Sequence, residues 1–121
     1  MNNNILSIFL VVMIVFGMGG LNILGRINAF EPVEAGDELE LFVNVNNPDD
    51  SDMDYMSVKA IFFDLGEYVV SQVFNLDDQS TEAVKLSVDI PRDAAKGDHL
   101  VKIVASNDEY YSSKFIYVRV I

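Results

Sequence analysis

The 121-residue chain is 50% hydrophobic and 22% charged, which supplies enough apolar surface for one core of ordinary domain size and argues against a disordered polyelectrolyte. Its 19 Asp+Glu outnumber 8 Lys+Arg for a net charge of −11, a field that repels nucleic-acid phosphates and anionic headgroups and so disfavours nucleic acid as a partner. Cys is absent, which excludes disulfides, thiolate metal sites and cysteine nucleophiles.

The charge is unevenly spread. Every carboxylate follows Arg26, while residues 5–24 (ILSIFLVVMIVFGMGGLNIL) carry no charge at all. A helix of that length rises about 30 Å, the thickness of a bilayer's hydrocarbon. The spacing therefore predicts one N-terminal hydrophobic helix, with residues 1–26 forming a membrane anchor or signal segment and residues 27–121 an acidic domain displayed outside the cell membrane. The dense apolar core Ile8 to Phe16, followed by Gly17, Gly19, Gly20 and Asn22, also suits a secretory signal peptide, with Ala29 as its cleavage position and a secreted domain as the result. Met1-Asn2-Asn3-Asn4 lacks the Lys or Arg that such peptides use for orientation. This favours the uncleaved anchor.

From Ile27 onward the apolar period changes to two, the mark of half-buried strands. Following a weak strand near residues 27–31, Leu39, Leu41, Val43 and Val45 alternate with Glu38, Glu40, Phe42 and Asn44. The runs Ser57 to Asp64 and Glu67 to Phe74 flank Leu65-Gly66, a link suited to a hairpin. Val84, Leu86, Val88 and Ile90 form the cleanest amphipathic strand, and Val101/Ile103/Ala105 and Ile116/Val118/Val120 supply two more. Turn residues gather at Asn47-Pro48-Asp49-Asp50, Asp77-Asp78, Ala95-Lys96-Gly97 and Asn107-Asp108. About seven strands at this spacing predict an all-β, immunoglobulin-like sandwich.

Val33-Glu34-Ala35-Gly36-Asp37 running into an alternating strand, and the passage from Leu86 to Ile103 with its Ile90-Pro91 step, its loop and Gly97, resemble cell-adhesion-related (CARDB-like) modules and archaeal S-layer-like extracellular domains. The resemblance covers about residues 33–121 and implies an adhesive or structural role without catalytic residues. His99 stands where such modules often carry Tyr.

Three places invite a chemical reading. Asp50, Asp52 and Asp54 alternate beside Asp49, so this turn is a candidate Ca²⁺ site, although an EF-hand would need Gly and Glu where Tyr55 and Ile61 stand. Acidic residues equally favour plain solvated turns. His99 is the single histidine, which leaves a transition-metal site or a Ser-His-Asp triad without partners. The chain is expected not to be an enzyme. Third, if Val101, Ile103, Ile116 and Val118 face the core, Leu100, Val104, Phe115 and Tyr117 face outward on neighbouring strands, joined by Ile61 and Phe63 or by Phe62. A contiguous stripe of this kind marks a contact surface for a protein partner or a second copy.

The function this predicts is a non-catalytic, membrane-anchored cell-surface structural or adhesion module. A secreted Ca²⁺- or ligand-binding sandwich is the first alternative. A pilin-like filament subunit is the second, although the basic processing motif usual before the hydrophobic run is missing.

Overall fold

The computed structural model describes residues 8–17, 20–22 and 32–121. The described chain is all-β and forms two sheets, as expected of a β-sandwich. β3 (Glu38–Asn47) and β7 (Ser80–Asp89) pair antiparallel in unbroken register from Glu38↔Asp89 to Asn47↔Ser80. In the facing sheet, β4 (Met53–Phe62) lies between β5 (Glu67–Val70) and β8 (Gly97–Ser106), and β9 (Tyr111–Val120) closes the order β5-β4-β8-β9. β6 (Phe74–Leu76) pairs with the start of β4.

Side chains alternate across a strand, so each period-two run delivers one face inward. Leu39, Leu41, Val43 and Val45 of β3 meet Val58, Ala60 and Phe62 of β4, Val101, Ile103 and Ala105 of β8, and Ile116, Val118 and Val120 of β9 in one buried cluster. Val84, Leu86 and Val88 complete it from β7. Burying each such Leu, Val or Phe contributes roughly 1.5–3 kcal/mol. That is what holds together a domain without cross-links.

Ahead of β3, Val33 forms a parallel bridge with Val120, giving its N–H to Arg119 O and receiving that of Ile121, both at 2.9 Å. Gly36, at φ 92°, then turns the chain across to the other sheet, where its N–H reaches Ile90 O at 2.9 Å. A Cβ at Gly36 would stand 3.2 Å from Arg92 Cγ. The Val33 to Asp37 run is thus the crossing between sheets.

The run Glu67 to Phe74, expected as one strand, divides into β5 and β6. Both lie against β4, which carries an irregularity between Met53 and Met56. The change of course is fixed at Ser71, whose Oγ accepts the Val58 N–H at 2.9 Å while its own N–H reaches Val58 O at 2.8 Å. The Leu65-Gly66 hairpin is present, built as a 3-10 turn (Phe63–Leu65) closed by Gly66 at φ 66°. This turn takes Phe63 off the strand.

Within the apolar segment, residues 8–17 and 20–22 are extended rather than helical. β1 (Ile8–Gly17) runs parallel to β3 from Ile8↔Leu39 to Val15↔Asn46 and turns back into β2 (Gly20–Asn22). Ile8, Val11, Val12, Ile14 and Val15 are β-branched and favour extended backbone, and the outer edge of β3 offers a row of N–H and C=O groups to pair. Residues 5–7, 18–19 and 23–24 of the expected helix lie outside the described residues, as do the weak strand at 27–31 and the Ala29 cleavage position. Among the described residues no helix is long and apolar enough to cross a membrane.

Candidate interaction face

The outer surface of the four-stranded run β5-β4-β8-β9 is organised by its registers. One row across it reads Tyr68, Ile61, Lys102, Phe115, and the next reads Val70, Lys59, Val104, Ser113. Beyond Phe115, Tyr117 stands opposite Leu100 and Arg119 opposite Asp98, while Tyr111 stands opposite Ser106 at the other end. Phe63, carried off β4 by the 3-10 turn, stacks on Phe115 with ring centroids 6.5 Å apart.

All six residues predicted for a contact stripe lie on or beside this face. Phe63, Phe115 and Tyr117 are about half exposed, at 51%, 53% and 54%. Leu100 and Ile61 are half-buried, and Val104 is buried at 8%. The alternative to Ile61, Phe62, is a core residue at 1%. Sequence reasoning missed Tyr68 at 67%, Tyr111 at 53% and Val70 at 46%. Continuing the outward alternation of β9 back from Phe115 leads to Tyr111, and the hairpin at Gly66 pairs Tyr68 with Ile61. Both signals were in the text of the chain.

The face also differs in charge from the rest of the molecule. Lys59 Nζ lies 5.3 Å from the Tyr68 ring centroid, and Lys102 Nζ lies 5.7 Å from those of both Tyr111 and Phe115. These are cation–π distances, at which ammonium groups lie over electron-rich rings. Lys102 first, and then Ser113, hold the Tyr111 pKa below the ordinary phenol value. Arg119 Nε lies 2.9 Å from Asp98 Oδ1 and a second guanidinium nitrogen 3.4 Å from Oδ2. This bond lowers the Asp98 pKa and raises that of Arg119. Three cations thus stand with one carboxylate on this face, in a chain of net charge −11.

The opposite sign collects at one end of the sandwich. The β3–β4, β6–β7 and β8–β9 loops bring together Asp49, Asp50, Asp52, Asp77, Asp78, Asp108 and Glu109, with Asp54 just inside β4, and contain no Lys or Arg. They are tied to each other: Asp52 Oδ1 accepts the Asp78 N–H at 2.8 Å, Asp50 Oδ1 accepts from Gln79 Nε2 at 3.1 Å, and Asn107 Nδ2 donates to Asp54 O at 2.8 Å. The carboxylates of Asp50 and Asp52 therefore serve as hydrogen-bond acceptors between loops. Among the described residues no group of three or more acidic or histidine side chains is placed to hold a metal ion.

Out of this acidic end projects Tyr55, 78% exposed, with a backbone φ of 56°. A bulky residue in that left-handed region is held there by its surroundings. Here its N–H is bonded to Asn75 Oδ1 at 3.1 Å, at the irregularity between β4 and β6.

His99 is buried on the core side of β8 at 5% exposure. Its Nε2 lies 2.6 Å from Ala95 O and its Nδ1 3.4 Å from Asp64 Oδ2. A carbonyl only accepts, so Nε2 carries a proton and pins the β7–β8 loop to the strand. No protein-family model matches the chain, and no curated protein matches it.

Proposed function

We propose that this chain is a non-catalytic, immunoglobulin-type β-sandwich module, anchored in a cell membrane by residues 5–24 and displayed outside it, whose structural or adhesive contacts are made through the outer face of β5-β4-β8-β9. The observation that carries this reading is the set of exposed rings on one sheet, Phe63, Tyr68, Tyr111, Phe115 and Tyr117. Aromatic residues are enriched at protein contact surfaces, whereas apolar side chains on a free surface are usually scattered. The CARDB-like resemblance of residues 33–121 points the same way.

In the anchored form β1 leaves β3 and residues 5–24 become a bilayer-spanning helix, in which every backbone N–H and C=O is bonded internally. Two measurements test the reading. Intact mass and carbonate extraction of the natively expressed protein should give a full-length chain in the membrane pellet; a soluble chain beginning near Phe30 overturns the anchor and leaves a secreted sandwich. Phe115→Ser combined with Leu100→Ser should abolish partner retention at the cell surface, and unchanged retention counts against the face.

A further inference from the structure

Taking that face to be a contact surface, we infer that its partner is a second copy of this chain, bound head to tail: the acidic end that carries Tyr55 seats on the lysine-bearing aromatic face of the next copy. Charge selects this arrangement. Two copies meeting face to face would set Lys59 and Lys102 against the same cations, Arg119 being already paired with Asp98, whereas the acidic loops of one copy bring carboxylates, and no Lys or Arg, to the lysines of the other. Desolvated cations need partners of opposite sign, and like charges brought together are a strong bar to association.

Tyr55 gives the acidic end an anchor. Its ring is 78% exposed on a backbone at φ 56°, and Asp52 and Asp54 flank it in sequence. An aromatic knob with a charged rim is suited to a face of rings and ammonium groups, where the ring is buried and the carboxylates pair at the margin. A tyrosine in the left-handed region, where glycine would sit without strain, suits a contact that uses the ring. Because knob and face are different surfaces of one chain, each bound copy leaves one of each free. Association is therefore open-ended, a row rather than a closed dimer.

The test uses full-length chains in an uncharged detergent at low salt, followed by sedimentation velocity. Wild type should show species that grow in number with concentration and collapse at high salt, as the contact is screened. Lys59→Glu with Lys102→Glu, and separately Asp54→Lys with Asp108→Lys, should each lose the larger species. An equimolar mixture of the two should regain them, since the carboxylates introduced on one variant's face then meet the ammonium groups introduced beside Tyr55 of the other; regained assembly also shows that both variants fold. Tyr55→Gly should melt no lower than wild type and still lose the larger species.

A wild type that stays a single copy, one that stops at two copies, a reversed variant that still assembles alone, or a mixture that does not recover overturns the inference. If wild type stays single while Phe115→Ser with Leu100→Ser still abolishes retention at the cell surface, the face remains a contact surface and only self-assembly has failed. Larger species that survive both reversals and high salt belong to residues 5–24 and likewise overturn it.

Discussion

Asn47 Nδ2 lies 3.1 Å from the Leu76 carbonyl, tying the last residue of β3 to the last residue of β6 across the acidic end of the sandwich. The same amide group reaches Ser51 O at 2.8 Å and Asp77 O at 3.3 Å, and Asn47 Oδ1 accepts the Asp49 N–H at 2.9 Å. The residue is fully buried. Leaving such groups without a partner costs about 1–3 kcal/mol, so Asn47→Ala should lower stability by roughly 2–3 kcal/mol. Urea unfolding should show this as a lower midpoint at unchanged slope. Asn47→Asp should be worse, because it sets a carboxylate against carbonyl oxygens.

Core and face should separate cleanly by substitution. Phe62 is 1% exposed in the cluster between the sheets, and Phe62→Ala should cost about 3–5 kcal/mol. Phe115, half exposed, has a ring contact with Phe63 to lose, so Phe115→Ser should cost only about 1 kcal/mol. Urea unfolding of both variants measures the contrast, and a large loss for Phe115→Ser would mean the face is structural.

At Gly66 the backbone alone sets the penalty. Its φ is 66° and an added Cβ meets nothing within 4 Å, so Gly66→Ala should cost about 1 kcal/mol through left-handed strain without any clash. Gly66→Asn should recover part of that, because asparagine tolerates this region. Thermal melts of the pair test the order Gly, Asn, Ala.

The pH dependence of the face follows from two pairs. Arg119 holds the Asp98 pKa below the ordinary aspartate range. A carboxyl depressed by folding adds stability that is fully present above its unfolded value and lost as the pH falls through the depressed one. Carbon NMR titration should place Asp98 below ordinary aspartates, and Arg119→Gln should bring it back up. Tyr111 should likewise ionise at lower pH than a free phenol by ultraviolet difference titration, and Lys102→Glu should move it upward, because the ammonium group that lowers it is gone.

How far the sequence could be read depended on how local each signal was. Alternation in Leu39 to Val45 and Val84 to Ile90 is a property of single strands, and it correctly sorts those residues to the core. The division of residues 67–74 depends on Ser71 capping Val58, thirteen positions away. Nothing within the run itself announces it. Phe63 could be placed near Phe115 by strand counting, but the 3-10 turn that carries its ring onto Phe115 became visible only in the structure.

The sequence by itself determined that the region of period-two alternation is all-β, which faces of its main strands are buried, and where its acidic turns fall, because period-two patterning and turn residues act over a few neighbouring positions. Only the tertiary structure decided that Lys59 and Lys102 lie among the rings of Tyr68, Tyr111 and Phe115, that three separate loops pool their carboxylates at one end, and that residues 8–17 lie along β3. Those relationships come from strand register and sheet pairing between positions far apart in the chain, and a shift of one residue in register would turn each of these side chains to the other face.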